Sequence, residues 1–363
     1  MKHKIIFFLG LILLSGLLSF SQSGCAAINR GVDHSGLRDM VALAAGPDAA
    51  KQLLSPAPFT DSASLDALTQ ARPLKNLRIT PLDKHRRPEK NLTQERLSFD
   101  SSITVRHGES NRATAYIYRH GALGERPLVL WVPGLYVSDA AFTPINWIFD
   151  EIFSRGLDVV FYVLPYHMER SPKGMKSGDA MLATDLSDHL LSLAQGLADL
   201  RSLSAWLRAQ GVHQLGAFGG STGAGLVLRQ LSFEPAYDFV TVFVPMVSWD
   251  DVIFANPLSA PIREHIAKMP QKQARQVRAA WRAMNPINDS CSINPRRISV
   301  IRARWDQVAR PAPIKAWAKA WKVHRCRVIS RGHSLALFDP ELFRAYGHFL
   351  DHDLLAIGYK RRP

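Results

Sequence analysis

Cysteine is scarce in this chain. Only Cys25, Cys291 and Cys326 occur among 363 residues, too few for a disulfide-framed fold. No Cys/His cluster has the spacing of a structural zinc site, so no metal is expected. With Cys25 removed or modified, Cys291 and Cys326 are left either as a disulfide pair in an oxidising compartment or as two free thiols. Long apolar runs are nearly absent too. The one present, Ile5 to Phe20, is shorter than the ~20 residues of a membrane span. No internal repeat, low-complexity tract or linker divides the chain. Acidic residues are also under-represented, 31 against 45 Lys and Arg, for a net charge of +14. The excess either favours anionic partners, phospholipid head groups or acidic envelope polymers rather than nucleic acid, or is a solvated surface. The 47% hydrophobic content suffices for one large core.

The amino terminus reads as a targeting segment. Lys2, His3 and Lys4 precede the apolar run, and small and polar residues follow it from Ser21 to Ala27. A basic start, a short apolar stretch and a small-residue end describe a secretory signal over residues 1–24. Ser23-Gly24-Cys25 resembles the end of a bacterial lipobox, with Gln22 where Leu is usual. Cys25 is therefore either a lipidation site or is lost by ordinary cleavage near Ala27. The expectation is an exported protein of a bacterial cell envelope, associated with membrane through a lipidated Cys25 or a basic surface.

Residues 25–93 form a mixed lead-in, with helices expected over 36–45 and 64–71. The stretch Lys84-His85-Arg86-Arg87-Pro88 has the Pro and charge content of exposed, extended chain. From about Leu97 the pattern becomes regular. Residues 102–107 and 113–118 flank Gly108-Glu109-Ser110-Asn111 and read as a β-hairpin. Short apolar strands follow at 128–132, 159–164, 212–218, 239–247, 298–304 and 327–330. Helices are expected at 140–154, 185–210 (amphipathic), 312–322 and 341–355. Alternation of this kind implies an α/β fold with a mostly parallel sheet and helices on both faces. Function in such sheets gathers at the carboxyl ends of the strands.

At one such end stands Gly219-Gly220-Ser221-Thr222-Gly223, a G-x-S-x-G turn between a strand and a helix. A serine there adopts a strained backbone that only small neighbours tolerate, and its hydroxyl is held clear of the sheet. A serine nucleophile needs a base, and the base needs an anion to orient it. Asp306 and His333 each lie just past the end of successive strands, in the chain order this turn requires. Asp250 and Asp251, after the strand at 239–247, are the alternative acids. Oxyanion donors are expected from the backbone of Thr222 and of Leu135, in the loop Pro133-Gly134-Leu135-Tyr136.

Turn, acid and histidine in this order resemble the α/β-hydrolase superfamily, over residues 95–358. Many members carry His-Gly before the oxyanion residue where this chain has Pro133-Gly134. The resemblance implies an eight-stranded-type sheet in a domain of residues 94–363, with residues 248–297 as a cap between the strands at 239–247 and 298–304. It implies no cofactor. A narrower likeness lies in Leu164-Pro165-Tyr166-His167-Met168-Glu169-Arg170-Ser171-Pro172, in Ser177-Gly178, and in Ala194-Gln195 with Asp199-Leu200-Arg201. These are similar to the alpha/beta hydrolase domain-containing protein 18 group, including its Pro-Tyr/Phe-His-x-x-Arg-x-Pro pattern. Following a strand end, His167, Glu169 and Arg170 are candidates for the pocket mouth together with Tyr136, or else anchors of the loop. The cap carries a basic amphipathic stretch, residues 268–282, either a cover suited to a lipid with an acidic head group or a solvated helix. The expected activity is hydrolysis of a carboxylic, acyl or lipid ester through an acyl-enzyme. The alternatives are a silent hydrolase fold serving as an envelope scaffold, or cleavage of an amide or thioester.

Overall fold

Runs rich in Val, Ile, Phe and Tyr recur along the chain, and in the computed structural model they assemble into one nine-stranded sheet. The structure describes residues 22–44, 57–82, 92–138, 142–183 and 185–359. Most of the export segment (residues 1–21) and the basic 84–88 stretch lie outside them. The strands are β1 (Lys75–Pro81), β2 (Thr93–Asp100), β3 (Arg112–Arg119), β4 (Leu128–Val132), β5 (Asp158–Val163), β6 (Leu215–Gly220), β7 (Phe239–Phe243), β8 (Ile298–Ala303) and β9 (Arg325–Ile329). Their order is β1-β2-β3-β5-β4-β6-β7-β8-β9. Pairing is antiparallel as far as β3–β5 and parallel from β5 to β9. Strands β4 to β7 are buried along their whole length, which is why they read as nearly continuous apolar runs, with Asp158 and Thr241 as buried exceptions.

Ten helices are described: α1 (Gln22–Ala44), α2 (Ser62–Thr69), α3 (Phe142–Phe153), α4 (Asp179–Ala183), α5 (Leu186–Ala209), α6 (Ser221–Phe233), α7 (Ala260–Ala267), α8 (Gln271–Ala283), α9 (Pro311–Ala320) and α10 (Pro340–Ala356). They cover both faces of the sheet. One apolar cluster joins it to α2, α5, α6, α8 and α9, and the other joins it to α3 and α10. The cap between β7 and β8 contains α7 and α8. Helix α8 turns Val277, Ala280 and Trp281 inward and leaves Lys272, Arg275, Arg278 and Arg282 exposed. Among the described residues no helix is long and apolar enough to cross a membrane.

Four expectations are corrected. The hairpin partner of β3 is β2, not residues 102–107. Ile103 and Val105 are buried, but they lie in a loop that Asn111 pins by accepting from Val105 N (2.8 Å) and donating to Val105 O (3.1 Å). The sheet has a ninth strand at its edge, because β1, exposed throughout, carries no inward-outward alternation to reveal it. Helix α5 is buried round most of its circumference rather than on one face, because α2, α6 and α8 all pack on it. Finally, α1 begins at Gln22, well before Gly36. Cys291 and Cys326 are free thiols.

Candidate active site

The site begins where β6 runs into α6. Ser221 is the first helical residue, with φ of +48°, a conformation that costs a β-carbon-bearing residue about 1–3 kcal/mol. The flanking glycines make room for it. A Cβ on Gly219 would stand 2.6 Å from Ala224 Cα, and one on Gly134 would stand 2.9 Å from Ser221 Cβ. One on Gly223 would collide with the carbonyls of Val132 and Pro133. Strand β4 and the turn that carries Ser221 are thus in backbone contact. The turn presents Ser221 Oγ at a helix N-terminus, where negative charge is favoured.

Two strand-end loops converge on it. His333, past β9, lies with Nε2 at 2.8 Å from Ser221 Oγ, and its Nδ1 is 2.8 Å from Asp306 Oδ2, past β8. Asp306 is fully buried, and its Oδ1 accepts from the amides of Val308 and Ala309, both at 2.8 Å. Burial lifts the Asp306 carboxyl above its ordinary value, while the charge and hydrogen bond of His333 pull the other way. Burial alone would lower the His333 imidazole. The Asp306 carboxylate, by charge and hydrogen bond, and then Asp33 outweigh it, so His333 is held above the usual histidine value. The other candidate acids are engaged elsewhere. Asp250 pairs with Arg282 at 3.3 Å, and Asp251 accepts from Arg310 Nε at 2.7 Å.

Leu135 and Thr222 border the same cavity as Ser221. The loop that carries Leu135 is propped from below. Tyr136, at φ +64°, donates its amide to His167 Nε2 at 3.0 Å. His167 Nδ1 lies 2.8 Å from Pro165 O, a contact that requires Nδ1–H and leaves Nε2 as acceptor. Burial pushes this histidine down to about 4, so it is neutral. Ser177 Oγ donates to Val137 O and accepts from Met168 N. A Cβ on Gly178 would stand 2.9 Å from His167 Nε2. His167 is therefore a buried prop of the loop, and of the residues first placed at the mouth only Tyr136 borders the cavity.

Arg170 is likewise an anchor, with no exposed surface. It donates to Ser110 O (2.7 Å), Val163 O (2.9 Å), Gln195 Oε1 (3.1 Å) and Asp199 Oδ2 (3.0 Å). Glu169 accepts from Tyr116 Oη at 2.6 Å. The quoted motif residues Arg170, Gln195 and Asp199 thus form one buried polar network that fastens the 164–178 loop to α5.

The cavity over Ser221 measures about 390 Å³, within the ~300–1,000 Å³ of small-molecule sites. Its walls are mainly apolar, with Trp249, Ile262 and Trp281 from the cap side and Leu37, Met40 and Val41 from α1. His189 also lines it. Its ring stands edge-on to Trp281 at 5.0 Å, and burial lowers it to about 4.

The contribution of α1 and of His189 is missing from the sequence reading. Yet α1 carries a legible signal. Asn29, Asp33, Leu37 and Val41 recur every fourth residue and are all buried, at 3%, 0%, 3% and 5% exposure. The polar head of that stripe reaches the two strand-end loops. Asp33 accepts from the amides of His333 (2.7 Å), Ser334 (2.9 Å) and Gln307 (3.1 Å), and Asn29 Oδ1 accepts from Gly332 N at 2.7 Å.

No protein-family model matches the chain. Two uncharacterized proteins of Mycobacterium tuberculosis are each 27% identical over 200 residues, covering 50% of this chain and 47% of theirs. The chain therefore spans about half the length of the curated relatives it matches. Among solved structures, an acetyl xylan esterase from Paenibacillus sp. R4 superposes with a TM-score of 0.55 at 15% identity, over 82% of this chain and 98% of that one. Acetyl xylan esterase 1 from Thermoanaerobacterium sp. JW/SL YS485 does so with a TM-score of 0.51 at 16% identity, over 79% and 98%. The fold of this chain is the α/β-hydrolase fold.

Proposed function

We propose that the protein is a serine hydrolase that cleaves carboxylic esters with an apolar acyl group, through a covalent acyl-enzyme. One observation carries the reading: an unbroken chain of 2.8 Å contacts, Ser221–His333–Asp306, opening onto an apolar cavity. Two esterases of the same fold support an ester as the substrate bond. As Ser221 Oγ attacks the ester carbonyl, His333 Nε2 takes its proton. Asp306 accepts the Nδ1–H and stabilises the imidazolium. The carbonyl oxygen, now negative, receives the amides of Leu135 and Thr222. His333 then gives the proton to the leaving alkoxide, and Ser221 keeps the acyl group. Water, deprotonated by His333, attacks the acyl-enzyme, and His333 returns that proton to Ser221 Oγ as the carbonyl–oxygen bond breaks and the acid leaves. No cofactor takes part in these steps. The cavity wall of Leu37, Val41, Trp249 and Trp281 gains free energy from an apolar acyl chain and from no charged one.

A panel of p-nitrophenyl esters of rising chain length, with amide and thioester counterparts, tests this. The wild type is expected to prefer medium-chain esters, with Ser221→Ala reduced to background. Equal turnover by both proteins rejects the reading. A folded wild type inert to the whole panel points to a silent fold.

A further inference from the structure

We propose that α1 is a working part of the catalytic centre and that Asp33 is the positioning residue that seats His333 against Ser221. This rests on the hydrolase reading above. The base and its acid stand on two loops that leave adjacent strands and are tied at their roots, Arg304 N donating to Ile329 O (2.9 Å) and Trp305 N to Arg331 O (3.0 Å). Asp33 also joins them. Its Oδ2 accepts from the amide of His333 (2.7 Å) and from that of Gln307 (3.1 Å), the residue after Asp306. Its Oδ1 accepts from Ser334 N at 2.9 Å. One helical turn earlier, Asn29 Oδ1 accepts from Gly332 N at 2.7 Å. The amides on both sides of the base, its own amide and the one after the acid therefore all end on one face of α1.

The fit is close. A Cβ on Gly332 would stand 2.8 Å from both Asn29 O and Asp33 Oδ2. Three amides converging on one carboxylate with no exposed surface are charge-assisted bonds in a dry setting, where geometry is held most firmly. The helix continues into Leu37, Met40 and Val41, which wall the cavity, and it packs on α4 and α7. Base, acid and acyl pocket thus share one support.

Asp33 also acts on the base by charge. The ionisable groups that bear on His333 are Asp306 from the acid loop and Asp33 from α1, and both favour the protonated imidazole. Removing the Asp33 charge lowers the pH at which His333 becomes a free base.

The test is Asp33→Asn in the full chain. Asn keeps the shape but offers one acceptor oxygen where three amides converge. Kcat is expected to fall roughly 100-fold, the scale of a small misplacement of reacting groups, with KM little changed. The acidic limb of the kcat/KM profile should move to lower pH. The His333 Nδ1 proton, assigned by its loss in His333→Gln, should titrate at lower pH by NMR. Asn29→Ala removes one bond and leaves the charge, so it should lower kcat without moving that midpoint. If Asp33→Asn is folded and keeps the wild-type kcat and His333 midpoint, the proposal is overturned. If Asp33→Asn fails to fold, Asn29→Ala with wild-type kcat overturns it. The NMR midpoint decides the placement of Asp33 even if the wild type cleaves no ester, an outcome that counts against the hydrolase reading instead.

Discussion

Ser221, Asp306 and His333 each owe their position to neighbouring residues. The φ of +48° at Ser221 is tolerated because Gly219, Gly223 and Gly134 keep side chains out of the turn. Asp306 is held by two amides of its own loop, and His333 by Asp33. Two further histidines were equally visible in the sequence and play other parts. His167 and His189 are buried, and burial lowers both to about 4. Both are therefore neutral in the folded protein at neutral pH. Their folded values lie below the unfolded value of ~6.5, so the stability they permit is complete above pH ~6.5 and is lost as pH falls towards 4. Each is expected to cost about 2 kcal/mol on going from pH 7 to pH 5. Urea melts at the two values, with His189→Leu alongside the wild type, measure this. The substitution should remove about half of the two-histidine pH dependence, and an unchanged pH dependence would exclude His189 as a source.

Among the elements, the parallel strands were legible because two-sided burial forces an apolar run, and a strand-end rule then located Ser221, Asp306 and His333. The same logic misled at Ile103 and Val105, whose alternation reflects burial in a loop pinned by Asn111. Strand β1 was invisible because an exposed edge strand has no buried face to pattern. Helix α1 was half legible. Its apolar residues marked a helix, but Asn29 and Asp33 read as ordinary polar positions, since amides of residues about 300 positions away cannot be inferred from local sequence. The motif around Arg170 shows the reverse case, in which a recognisable pattern marks an anchor rather than a pocket. Arg170→Met would leave Asp199 buried without its cation, and a broken buried pair costs about 3–5 kcal/mol. A loss of that size in equilibrium unfolding is expected. A loss below 1 kcal/mol would mean that Asp199 is satisfied by Tyr162 and Ser101 alone.

At the scale of the whole molecule, one fold brings three distant parts of the chain to one cavity: α1, the strand-end loops, and the cap of residues 248–297. Composition alone indicates a large core and an excess of basic residues. Segments that are silent separately become a site only when the sheet order places β6 centrally, with β7, β8 and β9 beside it. The central claim, that this site holds an activated serine, is tested most directly by intact-mass and peptide analysis after exposure to a fluorophosphonate probe. One adduct per chain, on the peptide carrying Ser221 and lost in both Ser221→Ala and His333→Gln, is the predicted result. Equal labelling of wild type and Ser221→Ala, or no adduct on a folded wild type, would contradict it.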